Sequence, residues 1–379
     1  MKLIKVAGAT LNQTPFDWQK NLDNILEAIE SARKEGVTLL CLPELCITGY
    51  GCEDMFHSLG LLDTALEMLL KIVPETKGMI VSVGLPLYYK KSIFNTACLI
   101  ADQKILGFVA KKHLAGDGIH YEPSWFKPWP SHLKAEVEIN NILYPLGDIY
   151  FDVAGIKIGF EICEDAWVSR RPGSELALKG VDIILNPSAS HFAFNKFDIR
   201  KDFVVEGSRA FGVAYIYSNL VGCEAGRIIF DGGVIIASGG KLMASGKRLS
   251  FSDVLVTSSI IEIDKIRMSQ SKLASFQPDL SEDHSIVKNI DFTYPVILLE
   301  NELDNVQPNI NHEKWESSEK RKEEEFARAV SLGLFDYMRK SCSKGFVVSL
   351  SGGADSSTVV SLIYLMVEMA IAETGLENF

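Results

Sequence analysis

"IYFDVAGIKIGFEICEDAW", residues 149–167, holds two short β-rich runs parted by Ala154-Gly155, and the second run finishes on a lone thiol, Cys163. Two such runs joined by a two-residue turn predict a hairpin, 149–153 against 156–162. A hairpin makes antiparallel neighbours, so the sheet that holds it is not purely parallel. On the N-terminal side, residues 3–11 read as a strand, and Trp18, Leu22, Ile25, Ile29 and Ala32 place apolar side chains on one helical face. Strands are expected at 38–42, 79–87, 97–100 and 105–110, the last two turning through Asp102-Gln103-Lys104. On the C-terminal side, helices near 174–179 and 197–210 alternate with strands at 182–185, 213–217 and 228–237. Strands that both alternate with helices and pair as hairpins point to an α/β fold with mixed sheets in layers, rather than a parallel barrel.

This body is expected to end near residue 265. Residues 266–316 are polar and irregular apart from the strand-like "FTYPVILLE" and read as a linker; residues 317–379 read as the start of a second domain. There a charged run leads into Phe326, Val330, Leu334 and Tyr337 at helical spacing, and Gly345 separates that helix from a predicted strand.

With 379 residues, 47% of them hydrophobic, the chain has material for one or two cores. A net charge of −11 argues against nucleic acid or an anionic membrane as partner, because either calls for clustered Lys and Arg. No run of consecutive apolar residues approaches the ~20 of a membrane span. Seven cysteines, an odd number with no Cys-x-x-Cys pair, suit a reducing cytoplasm. Scattered histidines give no transition-metal spacing.

Three predicted strands finish on groups with complementary chemistry: "TLLCLPEL" at Glu44, "ILGFVAKKHL" at Lys111, and "IKIGFEICEDAW" at Cys163. Strand ends are where a layered α/β fold presents side chains to a pocket. A neutral thiol needs a base to become a nucleophile, and Glu44 can be that base. The Lys111 ammonium, with the backbone N–H of Glu164, can hold the oxyanion formed when sulfur adds to a carbonyl. Such a set suits attack on amides or nitriles.

The segments "LPELCITGYGCEDMF", "VAKKHLAGDGIHYEPSWF" and "GFEICEDAW" resemble the Glu, Lys and Cys motifs of the nitrilase, or carbon–nitrogen hydrolase, superfamily, in that family's order. The resemblance covers roughly residues 1–265 and implies a four-layer α-β-β-α sandwich. It assigns Glu44 as general base, Lys111 as oxyanion partner, with Lys112 the adjacent alternative, and Cys163 as nucleophile. Glu122 falls where the family carries a further active-site glutamate; a surface loop carboxylate is its plainer reading. Tyr50, Glu164, Ser190 and Lys196 map onto the family's amino-acid grip, although Ser190 also reads as a helix N-cap. "LAGDG" stands where many members have a Leu-Pro-x-Tyr turn.

"FVVSLSGGADSSTVV", residues 346–360, reads as strand, glycine turn and helix. Gly352 and Gly353 let backbone N–H groups face an anion. Ser349, Ser351, Ser356 and Ser357 add hydroxyls, Asp355 opens the helix, and the helix N-terminus adds positive potential. The loop has no P-loop lysine. It resembles the Ser-Gly-Gly-x-Asp-Ser motif of ATP pyrophosphatases, whose domains are Rossmann-like. Joined in this order, the two parts resemble the glutamine-dependent NAD synthetase family. That resemblance implies glutamine, nicotinic acid adenine dinucleotide, ATP and Mg2+ as ligands of a complete enzyme, no cofactor in the glutaminase part, and a homo-oligomer. It also implies that this chain is a fragment that does not make NAD by itself. The alternatives are a stand-alone nitrilase-type amidase and an idle domain that scaffolds a synthetase.

Overall fold

The computed structural model describes residues 2–379 except 225, 298–307, 312 and 378. Its centre is a pair of stacked sheets. In the first, Leu3–Leu11 lies between Val254–Glu262, its antiparallel neighbour, and Leu39–Cys41, its parallel one. The sheet continues through Ile80–Tyr89, Ser92–Ala101, Lys104–Ala110, Ile142–Gly147 and Lys134–Ile139. The second sheet runs Ile286–Ile290, Tyr150–Val153, Ile156–Phe160, Ile183–Ser188, Ala214–Asn219, Ile235–Ser238, Lys241–Ser245 and Asn309–Ile310. Parallel and antiparallel pairs occur in both, and the opening hairpin is there: Phe151 faces Ile158 across a turn with Ala154 and Gly155 at positive φ.

Alternation of side chains fixes the layers. One face of each sheet meets the other through Val6, Leu39, Ile80, Leu99, Phe151, Ile158, Leu185 and Ile216. The opposite face of the first sheet packs on the helices Trp18–Lys34 and Leu59–Ile72; that of the second packs on Pro172–Leu178 and Lys196–Ala210. Both faces of the central strands are therefore covered, which is why they read as continuous apolar runs. The result is the α-β-β-α sandwich.

Several expectations are corrected. The predicted strand 228–237 is two strands, Ile229–Asp231 in a two-stranded ribbon with Val221–Cys223 and Ile235–Ser238 in the second sheet. Gly232 and Gly233, both at positive φ, turn the chain between them. The linker is more ordered than its composition implies: it holds the helix end Ile263–Ser271 and an edge strand on each side of the second sheet, Ile286–Ile290 along Tyr150–Val153 and Asn309–Ile310 along Lys241–Ser245. "FTYPVILLE" forms no strand over 292–297, and its last three residues lie outside the described ones. The helix Arg321–Lys340 forms, but the apolar stripe predicted on it is not the buried face. Phe326 and Tyr337 are exposed, whereas Ala329, Leu332, Phe335 and Met338 are buried together with the carboxylates Glu325 and Asp336.

Beyond it, the helix Ala354–Thr374 forms as expected, but residues 346–350 form no strand and pair with no described strand, and Val347 is fully exposed. A strand is defined by its ladder partners, and none lies alongside. By length and composition this 21-residue helix, with a mean hydropathy of 1.4 over its most apolar stretch, is long enough to cross a membrane, contrary to the run-based expectation. Serines, threonines and Glu368 interrupt its apolar letters without lowering the average much. It packs on Arg321–Lys340 through Met366 and Ala370.

Candidate active site

Glu44 follows Leu39–Cys41, Lys111 follows Lys104–Ala110, and Cys163 follows Ile156–Phe160. The first two strands belong to one sheet and the third to the other; Lys111 touches Glu44, and Cys163 lies within electrostatic reach of both. Backbone bonds fix the ends: Glu44 N–H donates to Ser188 O at 3.4 Å, and Lys111 N–H to Asn95 O at 2.9 Å. The chain around Glu44 lies directly on Gly84. A Cβ there would stand 2.4 Å from the Leu45 nitrogen, so only glycine permits that approach.

Lys111 is the centre of the cluster. Its Nζ lies 2.6 Å from Glu44 Oε1 and 2.7 Å from Glu122 Oε1, with all three side chains buried. Lys112 points elsewhere, to Asp148 at 2.9 Å. Glu122 opens the short helix Glu122–Trp125 and is fully buried; Oε1 also accepts the Tyr50 hydroxyl at 2.7 Å, and Oε2 accepts Ala115 N–H at 3.1 Å. Glu44 is held from two further sides, by Asn95 Nδ2 at 2.8 Å on Oε1 and Ala189 N–H at 3.0 Å on Oε2.

Cys163 starts the 3-10 turn Cys163–Ala166 with φ of 44°, a left-handed conformation that a side chain rarely adopts. Such strain, of order 1–3 kcal/mol, sets the residue on a sharp strand-to-helix turn with its side chain at the tip. Asp165 fixes the turn. It accepts Ile162 N–H at 3.0 Å and, on its other oxygen, His113 N–H at 2.8 Å, tying the cysteine turn to the lysine loop.

Burial pushes the Cys163 thiol up, Glu44 adds to this, and Lys111 opposes it; the resting side chain is a thiol in need of a base. The Glu44 carboxyl is pushed up to about 7, by burial first, with the Glu122 charge adding and Lys111 opposing. Burial works against the Lys111 ammonium, but Glu122 and Glu44 outweigh it and hold Lys111 protonated. A base that titrates near neutrality beside a fixed cation suits proton transfer from a thiol.

The remaining expected residues line the same centre. Tyr50 is buried against Glu122. Lys196 feels both Cys163 and Glu164, and burial and Arg200 pull its ammonium down to about 8. Its Nζ meets the His191 ring at 3.2–3.3 Å and the face of Trp167, and no described carboxylate forms an ion pair with it. Burial raises the Glu164 carboxyl. Ser190 is no helix cap: Asn195 holds that position, and Ser190 Oγ accepts Arg200 Nε at 3.2 Å. At the far end of the chain, Ser351 Oγ lies 3.4 Å from Ser356 Oγ, Gly352 has φ of 78°, Ser357 Oγ donates to Gly353 O, and Asp355 sits in the first helical turn; Ser349 lies exposed on the segment before them.

Sequence reading missed Asn95, Asp165, Glu224, His120 and His191. Glu224 is half-buried and accepts the N–H groups of Tyr50 and Gly51, fixing the Tyr50 loop. Asn95 was detectable as a lone amide in the apolar run "SIFNTACLI"; the others carry no local signal.

Residues 5–258 match the sequence model of the carbon-nitrogen hydrolases, and the chain belongs to that family. At a finer level it is 32% identical over 98% of its length to the glutamine-dependent NAD(+) synthetase of Arabidopsis thaliana, of which it covers 52%. The crystal structure of a glutamine-dependent NAD(+) synthetase from Cytophaga hutchinsonii superposes with a TM-score of 0.80 at 40% identity, covering 99% of this chain and 53% of that one. The fold is also that of the Acinetobacter baumannii glutamine-dependent NAD+ synthetase solved with adenosine diphosphate, at a TM-score of 0.70 and 21% identity over 97% of this chain and 58% of that one. The chain therefore spans about half the length of the curated relatives it matches.

Proposed function

We propose that this chain is the ammonia-releasing part of a glutamine-dependent NAD synthetase, hydrolysing glutamine at Cys163. The observation that carries the reading is the buried Glu44–Lys111–Glu122 cluster beside a thiol on a left-handed turn. Glu44 takes the thiol proton as sulfur adds to the carboxamide carbon. Lys111 and the Glu164 N–H hold the oxyanion, and Glu44 returns the proton to the departing ammonia. Water then adds to the γ-glutamyl thioester with Glu44 again as base, and glutamate leaves.

An α-amino acid is the substrate that the surroundings of Cys163 favour. Lys196 is a half-buried cation and Glu164 a half-buried carboxylate, each within electrostatic reach of the other, and they suit a substrate's carboxylate and ammonium. Tyr50 and Ser190 complete the grip. The resemblance to synthetases continues past residue 258 through the serine-glycine loop, which favours this reading over a stand-alone amidase.

We place ATP at that loop. The positive φ of Gly352, with open space in front of it, and the hydroxyls of Ser351, Ser356 and Ser357 at a helix N-terminus suit a pyrophosphate. In a complete enzyme, ATP, with Mg2+ as its counter-ion, would activate the carboxylate of nicotinic acid adenine dinucleotide for attack by ammonia. A cytoplasmic homo-oligomer completes the proposal. Cys163→Ala tests it: glutamine hydrolysis, read as ammonia release, is expected to fall to background in a folded protein. Turnover that survives the substitution discards the assignment.

A further inference from the structure

We propose that His120 and His191 are positioning residues that couple recognition of the substrate's carboxylate at Lys196 to Glu122, so that the rate of the chemical step, and not binding alone, depends on whether an amide carries that carboxylate. The proposal rests on the glutaminase reading and extends it to specificity.

Five side chains form one continuous hydrogen-bonded line. Glu122 Oε1 accepts the Tyr50 hydroxyl at 2.7 Å; Tyr50 Oη lies 3.1 Å from His120 Nδ1; His120 Nε2 lies 2.8 Å from His191 Nδ1; and Lys196 Nζ lies over both nitrogens of the His191 ring, 3.2 Å from Nδ1 and 3.3 Å from Nε2, of which only Nε2 is free to accept once Nδ1 serves His120. With Glu122 ionised, one hydrogen pattern satisfies every bond. Tyr50 gives its proton to Glu122 and accepts from His120 Nδ1–H. His120 Nε2 then accepts from His191 Nδ1–H, and His191 Nε2 accepts from the ammonium. Both rings must be neutral for this. Burial, followed by neighbouring cations and the partner ring, lowers His120 to about 3 and His191 to about 4. The groups facing them are Tyr50, Lys111 and Lys196 around His120, and Lys196, Arg200 and Asp231 around His191.

The outer end of this line, Lys196, is where the substrate's carboxylate can act on it. Lys196 rests on a neutral ring, a weak partner for a cation, and a substrate carboxylate is a stronger one. When Lys196 turns to the carboxylate, His191 Nε2 loses its donor and the tautomers of both rings are released. Tyr50 is then free to give its proton to His120 Nδ1 instead of to Glu122. Glu122, relieved of that bond, acts more strongly on Lys111, the group that holds the oxyanion. An amide without the carboxylate leaves Lys196 on His191 and the line unchanged.

The test compares glutamine with 4-aminobutanamide, which is glutamine without its carboxylate, in the wild type, in His120→Phe and in His120→Gln. In the wild type, kcat for glutamine is expected to exceed that for the analogue by about 5- to 150-fold, the range of ordinary site-to-site coupling. In His120→Phe the two kcat values converge while KM for glutamine stays within about threefold. His120→Gln keeps one donor and one acceptor and is expected to retain most of the ratio, which a purely space-filling role for His120 would not require. A kcat ratio unchanged in His120→Phe, or lost equally in His120→Gln, overturns the proposal. A wild type that releases ammonia from neither amide overturns the glutaminase reading itself, and the coupling with it.

Discussion

Replacing Glu122 by glutamine removes one charge from the cluster and leaves its shape intact. The two carboxylates share the Lys111 ammonium, so their Oε1 atoms lie no more than 5.3 Å apart, the sum of the 2.6 and 2.7 Å legs. At an effective dielectric of about 20, unit charges at that distance repel by roughly 3 kcal/mol, equivalent to about two pH units. That repulsion is one of the forces holding the Glu44 carboxyl up near 7. In the wild type the base is ionised above this value, so kcat/KM for glutamine should decline as pH falls through about 7. In Glu122→Gln the acidic limb should move downward by about one to two pH units, because the charge opposing ionisation of Glu44 is gone. The plateau should fall about 100-fold, since Lys111 loses a charge-assisted partner and with it part of its placement at the oxyanion. Stability should drop by about 1–3 kcal/mol, because the new amide NH2 faces one of two donors, Ala115 N–H or the Lys111 ammonium, that the carboxylate had satisfied. The assay is the pH profile of ammonia release. An acidic limb that stays in place or moves upward would refute the electrostatic account.

Two further outcomes follow from the packing. Gly84→Ala should reduce glutamine turnover about 100-fold by displacing the Glu44 backbone, which a new Cβ would meet at 2.4 Å, whereas Gly60→Ala, whose Cβ meets only Ser58 Oγ at 3.7 Å, should not. Asp231 joins two buried guanidinium groups, Arg200 at 2.5 Å and Arg248 at 3.3 Å. Burial opposes its ionisation, but Arg200 and Arg248 outweigh burial and hold its carboxyl below the usual range. Its contribution is therefore present above the unfolded carboxylate's value of about 4 and lost as pH falls through the folded one. Asp231→Asn should cost about 3–5 kcal/mol at pH 7 and less below pH 4, as measured by urea unfolding.

Much of this was legible in residue order because strand and helix periods differ and the candidate catalytic groups sit where periodic runs stop. The strand Leu3–Leu11 and the start of the helix Trp18–Lys34 could be read to the residue. Glu44, Lys111 and Cys163 stood out as reactive letters at the ends of apolar runs. The buried face of Arg321–Lys340 was hidden for the opposite reason. Glu325 and Asp336 look solvent-facing by type, yet Arg248 meets Glu325 at 2.9 Å, and Asn12 with the Cys223 N–H meets Asp336. Buried charge is legible only with its partner, and these partners lie 77 to 324 positions away in the chain. His120 and His191 were invisible for the same reason, 71 positions apart.

The segment between the two halves does more than connect them. By laying one short strand along Tyr150–Val153 and another along Lys241–Ser245, it covers both margins of the second sheet. An excised hydrolase-family domain ending at residue 265 would leave two rows of bare peptide groups open to a neighbouring molecule. Soluble expression of this half therefore depends on keeping its tether.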